Sequence, residues 1–212
     1  MRLYPKPRNR MSNRSMITEE QRSISRRFAF DFFDGDRSHG YGGFSYHPRF
    51  WSETVRLFAD FYGLASDAAI LDVGCAKGFM LRDFVEMMPC ITIAGIDISG
   101  YAIENADPAV RSRLIQGNAK DLPYRDGTFD LVISINTIHN LHRVDVIKAL
   151  REIERVGRGK SFVMVDGWRT ERERLDLQNW VLTAQTVLHA DDWRKLFKES
   201  EFKGDYAFWT PN

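Results

Sequence analysis

Short apolar runs at 69–73, 91–96, 113–116, 130–135 and 161–165 recur along the chain, separated by stretches in which apolar residues return every three or four positions. The runs read as strands and the stretches between them as amphipathic helices over 49–62, 79–87, 99–105, 143–156 and 191–200. This alternation predicts an α/β fold, a doubly wound, Rossmann-like, mostly parallel sheet with helices on both faces. Leu57, Phe58, Phe61, Phe84, Val85, Ile147, Leu150 and Ile153 are expected on the sheet-facing helix surfaces. No repeat or Pro- or Ser-rich linker divides the chain after residue 28, so 28–212 reads as a single domain.

Composition narrows the function classes. At 212 residues the chain can bury one substantial core but not a catalytic domain plus a large independent substrate domain. Its 30 basic and 29 acidic residues nearly cancel, which disfavours a dedicated nucleic-acid binder. No run approaches the roughly 18–20 apolar residues of a membrane-spanning helix, so a soluble protein is expected. Cys75 and Cys90 lack the spacing of a disulfide or metal framework, which fits a reducing, cytoplasmic setting with no metal. Residues 1–27 carry eight Lys and Arg against Glu19 and Glu20 and read as a flexible basic tail. A partner-binding arm and an organelle-targeting segment are the alternatives there.

The most informative stretch is Ile70-Leu-Asp-Val-Gly-Cys-Ala-Lys-Gly78, a strand entering a glycine-bent loop that a helix follows. A second strand ends about twenty residues later in Asp97, where doubly wound folds place an acid for ribose hydroxyls. A pyrophosphate-binding Gly-x-Gly-x-x-Gly loop would need glycine at Ala76, which disfavours a nicotinamide oxidoreductase. Together with Asp97-Ile98-Ser99, Gly117-Asn118-Ala119 before Asp121-Leu122-Pro123, and the strand from Phe129 to Asn136, the loop resembles the motifs of class I S-adenosylmethionine-dependent methyltransferases. The likeness covers 53–166 and is nearest the small-molecule branch typified by ubiquinone and menaquinone biosynthesis.

The resemblance implies S-adenosylmethionine as donor and S-adenosylhomocysteine as product. It implies that Asp97 binds the ribose, that Ile98, Asn118 and Ala119 meet adenine, and that Asp72, Gly74, Cys75, Gly78 and Asn136 surround the methionine part. Family sheets have seven strands, yet only Tyr206 to Trp209 reads as a strand after the fifth. Either the last antiparallel strand is missing or the region 170–190 contributes differently.

Methyl transfer from a sulfonium needs alignment and a dry enclosure, and some acceptors also need a base. His139, just past the fourth strand, is the candidate base; a histidine that merely packs there is the alternative. The Gly- and aromatic-rich stretch from Asp34 to Tyr46 reads as an ordered lid within 28–50, with Arg37, Tyr41 and Tyr46 as candidate acceptor contacts. Asp166, Trp168 and Arg169, at the end of the fifth strand, are candidates from the other side, where 167–190 reads as a substrate-side helical segment. The expected activity is methyl transfer to an oxygen or nitrogen of a small molecule, by a monomer or homodimer. RNA or protein methylation and non-catalytic donor binding remain the alternatives.

Overall fold

The computed structural model describes residues 17–211. Seven strands form one sheet: β1 (Ala69–Val73), β2 (Thr92–Asp97), β3 (Leu114–Gln116), β4 (Leu131–Ile135), β5 (Ser161–Trp168), β6 (Leu188–His189) and β7 (Asp205–Trp209). The helices α1 (Glu19–Ser25), α2 (Phe30–Phe33) and α3 (Ser52–Tyr62) precede the sheet. After β1 come α4 (Phe79–Met87), α5 (Gly100–Glu104), α6 (Arg143–Val156), α7 (Glu171–Trp180) and α8 (Ala190–Glu199).

Strands pair in the order β3-β2-β1-β4-β5, with β7 on β5 at 162–166 and the short β6 at Gly167 and Trp168. The chain runs outward from β1 through β2 and β3, then returns to lay β4 against the other edge of β1. That reversal makes the crevice beyond the carboxyl ends of β1 and β4 the switch point, where ligands bind in such sheets.

Alternate strand residues feed two cores. Ile70, Ile93, Ile133 and Phe162 pack with Val55, Phe58, Tyr62, Leu81 and Phe84 of α3 and α4 on one face. Leu71, Val73, Val132, Val163 and Val165 pack with Val146, Leu150 and Ile153 of α6 and Trp193 and Leu196 of α8 on the other. Burial of both faces explains why the strands read as continuous apolar runs. One helix assignment is corrected. Phe61 is 59% exposed, because α3 buries positions 55, 58 and 62, and residue 61 points about 100° away from Tyr62.

All six ladders are parallel, and among the described residues no antiparallel strand joins the sheet. The stretch 170–190 supplies α7, opened by a Thr170–Glu173 capping box, and then β6. Of the tail expected over 1–27, residues 1–16 lie outside the described residues. Residues 19–25 form α1: Thr18 and Gln21 make a capping box, and Arg22 donates to the Gln178 and Val181 carbonyls at 3.1 and 3.4 Å. α1 is thereby fastened to the end of α7.

Candidate active site

The loop after β1 is shaped by its contacts. Gly74 has φ +87, and a Cβ there would lie 2.0 Å from Thr137 Oγ1, so the two strand ends of the switch point touch through a missing side chain. Gly74 and Cys75 N–H both donate to the Ile96 carbonyl, at 2.7 and 3.1 Å. Gly78, at φ +77, precedes α4 and leaves no room for a Cβ beside Leu114 and Val110, each 2.8 Å from that point.

Asp97 joins the two strands functionally. Its Oδ2 accepts the Ala76 N–H and its Oδ1 the Ser99 N–H, both at 2.8 Å, so each oxygen keeps a lone pair for a hydroxyl of a ligand. Burial raises its pKa, and the two backbone donors pull the other way. Asp72 is buried in β1, and burial, then the neighbouring Asp97 charge, pushes its carboxyl up to about 8. Cys75 is also buried, and its thiol is pushed far up by burial and by Asp72 and Asp97. Its Sγ packs beneath Gly95, so this residue offers the cleft backbone only.

Asn136, following β4, adopts φ +53, with its N–H bonded to the Met164 carbonyl at 2.9 Å. Its Oδ1 is buried without a hydrogen-bond partner, as is Oδ1 of Asn140 in the same turn. Buried orphan acceptors are costly, and these two oxygens have the chemistry to accept from a donor-bearing ligand. Ile98 exposes 51% of its surface beside Asp97. Asn118 uses its Oδ1 to accept Lys120 N–H at 3.2 Å, which closes the turn and leaves the amide nitrogen and a second oxygen lone pair for a base edge. Ala119 is partly buried against the second core.

These features fit S-adenosylmethionine. There are an acid for two hydroxyls, an exposed aliphatic face for a purine, a loop without Cβ atoms at its bends, and an unpaired amide oxygen for an ammonium.

His139 sits in a 3-10 turn at Ile138–Asn140 and is 3% exposed. Its Nδ1 accepts the Asp166 backbone N–H at 2.9 Å, and its carbonyl accepts the Gln185 and Thr186 N–H groups at 3.0 and 2.9 Å. Burial lowers its pKa against the opposing pull of Asp166, so the ring is neutral at physiological pH. The imidazole thus ties β4, β5 and the segment before β6 together, and its Nδ1 is not available as a base. Asp166 is buried, with its Oδ2 3.7 Å from that nitrogen and its carbonyl bonded to Trp193 Nε1 at 2.9 Å. Burial raises its pKa, with His139 opposing. Trp168 packs beside the Leu177 cluster and edge-on to His189. Arg169 is exposed and lies over the Phe208 ring at 5.5 Å.

The lid segment is ordered, but its polar residues are directed elsewhere than the sequence suggests. Arg37 donates to the Gly40 and Tyr41 carbonyls and braces its own loop. Tyr46 donates to Asp83 Oδ1 at 2.5 Å, beneath the Arg82 guanidinium, which lies 3.8 Å from its ring, and so anchors the loop to α4. Tyr41 joins Phe32, Phe33 and Phe44 in an aromatic cluster and remains 41% exposed. The residue that sequence reasoning undervalued is Lys77. This loop lysine is 7% exposed and paired with Asp34 at 2.6 Å. No local pattern signals a partner 43 residues away. Among the described residues no group of three or more His, Cys, Asp or Glu is arranged to hold a metal, and no helix is long and apolar enough to cross a membrane.

A methyltransferase-domain family model matches residues 71–165. Demethylmenaquinone methyltransferase of Lactococcus lactis is 28% identical over 151 residues, covering 68% of this chain and 58% of the relative. The tRNA (carboxymethyluridine(34)-5-O)-methyltransferase of Arabidopsis thaliana is 30% identical over 132 residues, covering 61% and 31% respectively. The chain therefore spans less than two thirds of these relatives' lengths. The YcgJ protein of Bacillus subtilis shares the fold, with a TM-score of 0.58 at 20% identity, over 70% of this chain and 67% of that one. With the strand order, the glycine loop and the acid closing β2, these likenesses place the chain in the class I S-adenosylmethionine-dependent methyltransferases.

Proposed function

We propose that the protein transfers a methyl group from S-adenosylmethionine to an oxygen or nitrogen of a small molecule. The carrying observation is the Asp97 carboxylate, pinned by two loop N–H groups yet with acceptor capacity left on both oxygens. When bound, S-adenosylmethionine supplies an electrophilic methyl on a good leaving group. The chain's own work is to bind and align. Asp97 takes the ribose hydroxyls, Ile98, Asn118 and Ala119 flank the adenine, and Asp72, Gly74, Cys75, Gly78 and Asn136 enclose the amino-acid end. His139 acts as a positioning residue that holds Asp166 in place. Asp166, held through its backbone N–H by His139 Nδ1, orients the acceptor and receives its proton. Tyr41 and Trp168 contribute aromatic walls, and Arg169 lies at the rim.

A small acceptor is favoured because the 28–46 segment is fastened to the loop after β1 and to the start of α5, which restricts access from that side. The Arabidopsis relative motivates RNA as the second reading. Calorimetric titration with S-adenosylhomocysteine, against NADH and with Asp97→Ala, tests the donor site. Micromolar binding lost in the variant supports it; preference for NADH overturns it. Labelled donor offered with RNA and with small-molecule fractions then separates the acceptors, and label in RNA would reject the small-molecule reading. A cytoplasmic location belongs to the same reading.

A further inference from the structure

The segment from Phe28 to Tyr46 is fastened to both walls of the cleft that the proposed donor occupies. On the wall formed by β2 and α5, the Phe28 carbonyl accepts from Ser99 Oγ, two residues beyond Asp97, and Tyr101 OH donates to Asp34 Oδ2 at 2.6 Å. On the wall formed by the loop after β1, Lys77 Nζ donates to the same Asp34 oxygen at 2.6 Å and to the Phe44 carbonyl at 3.0 Å. Asp34 Oδ1 closes the strap on itself by accepting the Phe44 N–H at 2.8 Å. One carboxylate therefore gathers a β1-loop ammonium, an α5 phenol and its own strap's backbone. Burial acts to raise the Asp34 pKa, but these donors outweigh it and hold the group below its ordinary value. A lysine as buried as Lys77 needs this counter-charge, so the strap and the loop are energetically one unit.

We propose that Asp34 and Lys77 are positioning residues that latch the 28–46 strap across the donor cleft, so that donor and product exchange requires their separation. The proposal rests on the donor reading above. Phe33, Tyr41 and Phe44 of the strap form an aromatic cluster whose Phe44 stacks on Phe79 of α4 at 5.1 Å, and these three rings lift with the strap as a hydrophobic flap. Phe79 opens α4, so lifting the flap uncovers the helix N-terminus that the loop faces.

The test is stopped-flow measurement of S-adenosylhomocysteine dissociation from wild type, Asp34→Asn, Lys77→Met and Tyr101→Phe, with hydrogen exchange followed over 34–46. The dissociation rate is expected to rise about tenfold or more in Asp34→Asn and Lys77→Met, the scale of one lost charge-assisted hydrogen bond. Tyr101→Phe keeps the ion pair, so it serves if the charge variants fail to fold, and its rate is expected to rise by a smaller factor. Strap amides, Phe44 first, should exchange faster in step with the rate. Unchanged dissociation in Tyr101→Phe and in every charge variant that folds overturns the latch while leaving the donor site standing. Wild-type protein that fails to bind S-adenosylhomocysteine overturns the donor reading itself.

Discussion

Asp97 accepts the Ala76 N–H at 2.8 Å, which makes the acid at the end of β2 a structural member of the loop that follows β1. Its removal should disturb both the ligand contact and the loop. Asp97→Ala is expected to weaken S-adenosylhomocysteine binding roughly 100-fold, the scale of two hydrogen bonds to a charged group. Asp97→Asn, which keeps one carbonyl oxygen, should fall between the two in a calorimetric titration.

Asp72 sets a pH dependence with a definite sign. Its folded pKa, pushed up to about 8, lies above the unfolded value of about 3.8, so the folded state holds a proton that the unfolded state has released between those limits. Its contribution to stability is thus present below pH about 4 and is lost as pH rises towards 8, with a slope no steeper than about 1.4 kcal/mol per unit. Asp72→Asn should flatten that part of the curve in urea unfolding. A cationic ligand favours the charged carboxylate, so S-adenosylmethionine affinity should rise with pH over the same window in wild type and not in the variant.

Gly74 is expected to tolerate no side chain. Gly74→Ala combines a left-handed backbone with a Cβ 2.0 Å from Thr137 Oγ1, so a loss of about 3 kcal/mol or more is expected in chemical denaturation. A smaller effect would mean that the β1 and β4 ends separate easily.

His139→Ala leaves the buried Asp166 N–H without an acceptor and opens a cavity, so a loss of about 3 kcal/mol is expected. His139→Gln should recover part of it. Because the role proposed for His139 is positional, folded His139→Gln should keep an acidic limb in the pH profile of methyl transfer, displaced upward as the opposing pull on Asp166 is lost, whereas complete loss of that limb would restore the base assignment.

The site was legible where function is written along one strand end. Gly74 and Asn136 directly follow β1 and β4, Asp97 closes β2 and Gly78 precedes α4, so their place in the fold follows from the order of the elements. It was illegible where a side chain's partner is remote. Lys77 reads as an ordinary loop cation until Asp34 is placed beside it. Arg37 and Tyr46 have the chemistry of ligand contacts, yet a neighbouring carbonyl and Asp83 claim them. His139 looks like a base from its position after β4, and only the backbone N–H of Asp166 reveals its occupied nitrogen. The sheet edge was ambiguous because a five-residue apolar strand carries no mark of its direction, and β7 is oriented by packing against β5.

The wholly parallel sheet also constrains how the molecule is assembled in time. No two neighbouring strands are joined by a hairpin, so no pair can zip locally, and every ladder waits for a crossover to be traversed. β4 pairs with β1 across the whole of the intervening β2 and β3 segments, and β7 pairs with β5 across α7, β6 and α8. Refolding should therefore be slow for a chain of this length, in the millisecond-to-second range typical of distant pairings, with α-helical signal appearing ahead of a closed donor cleft.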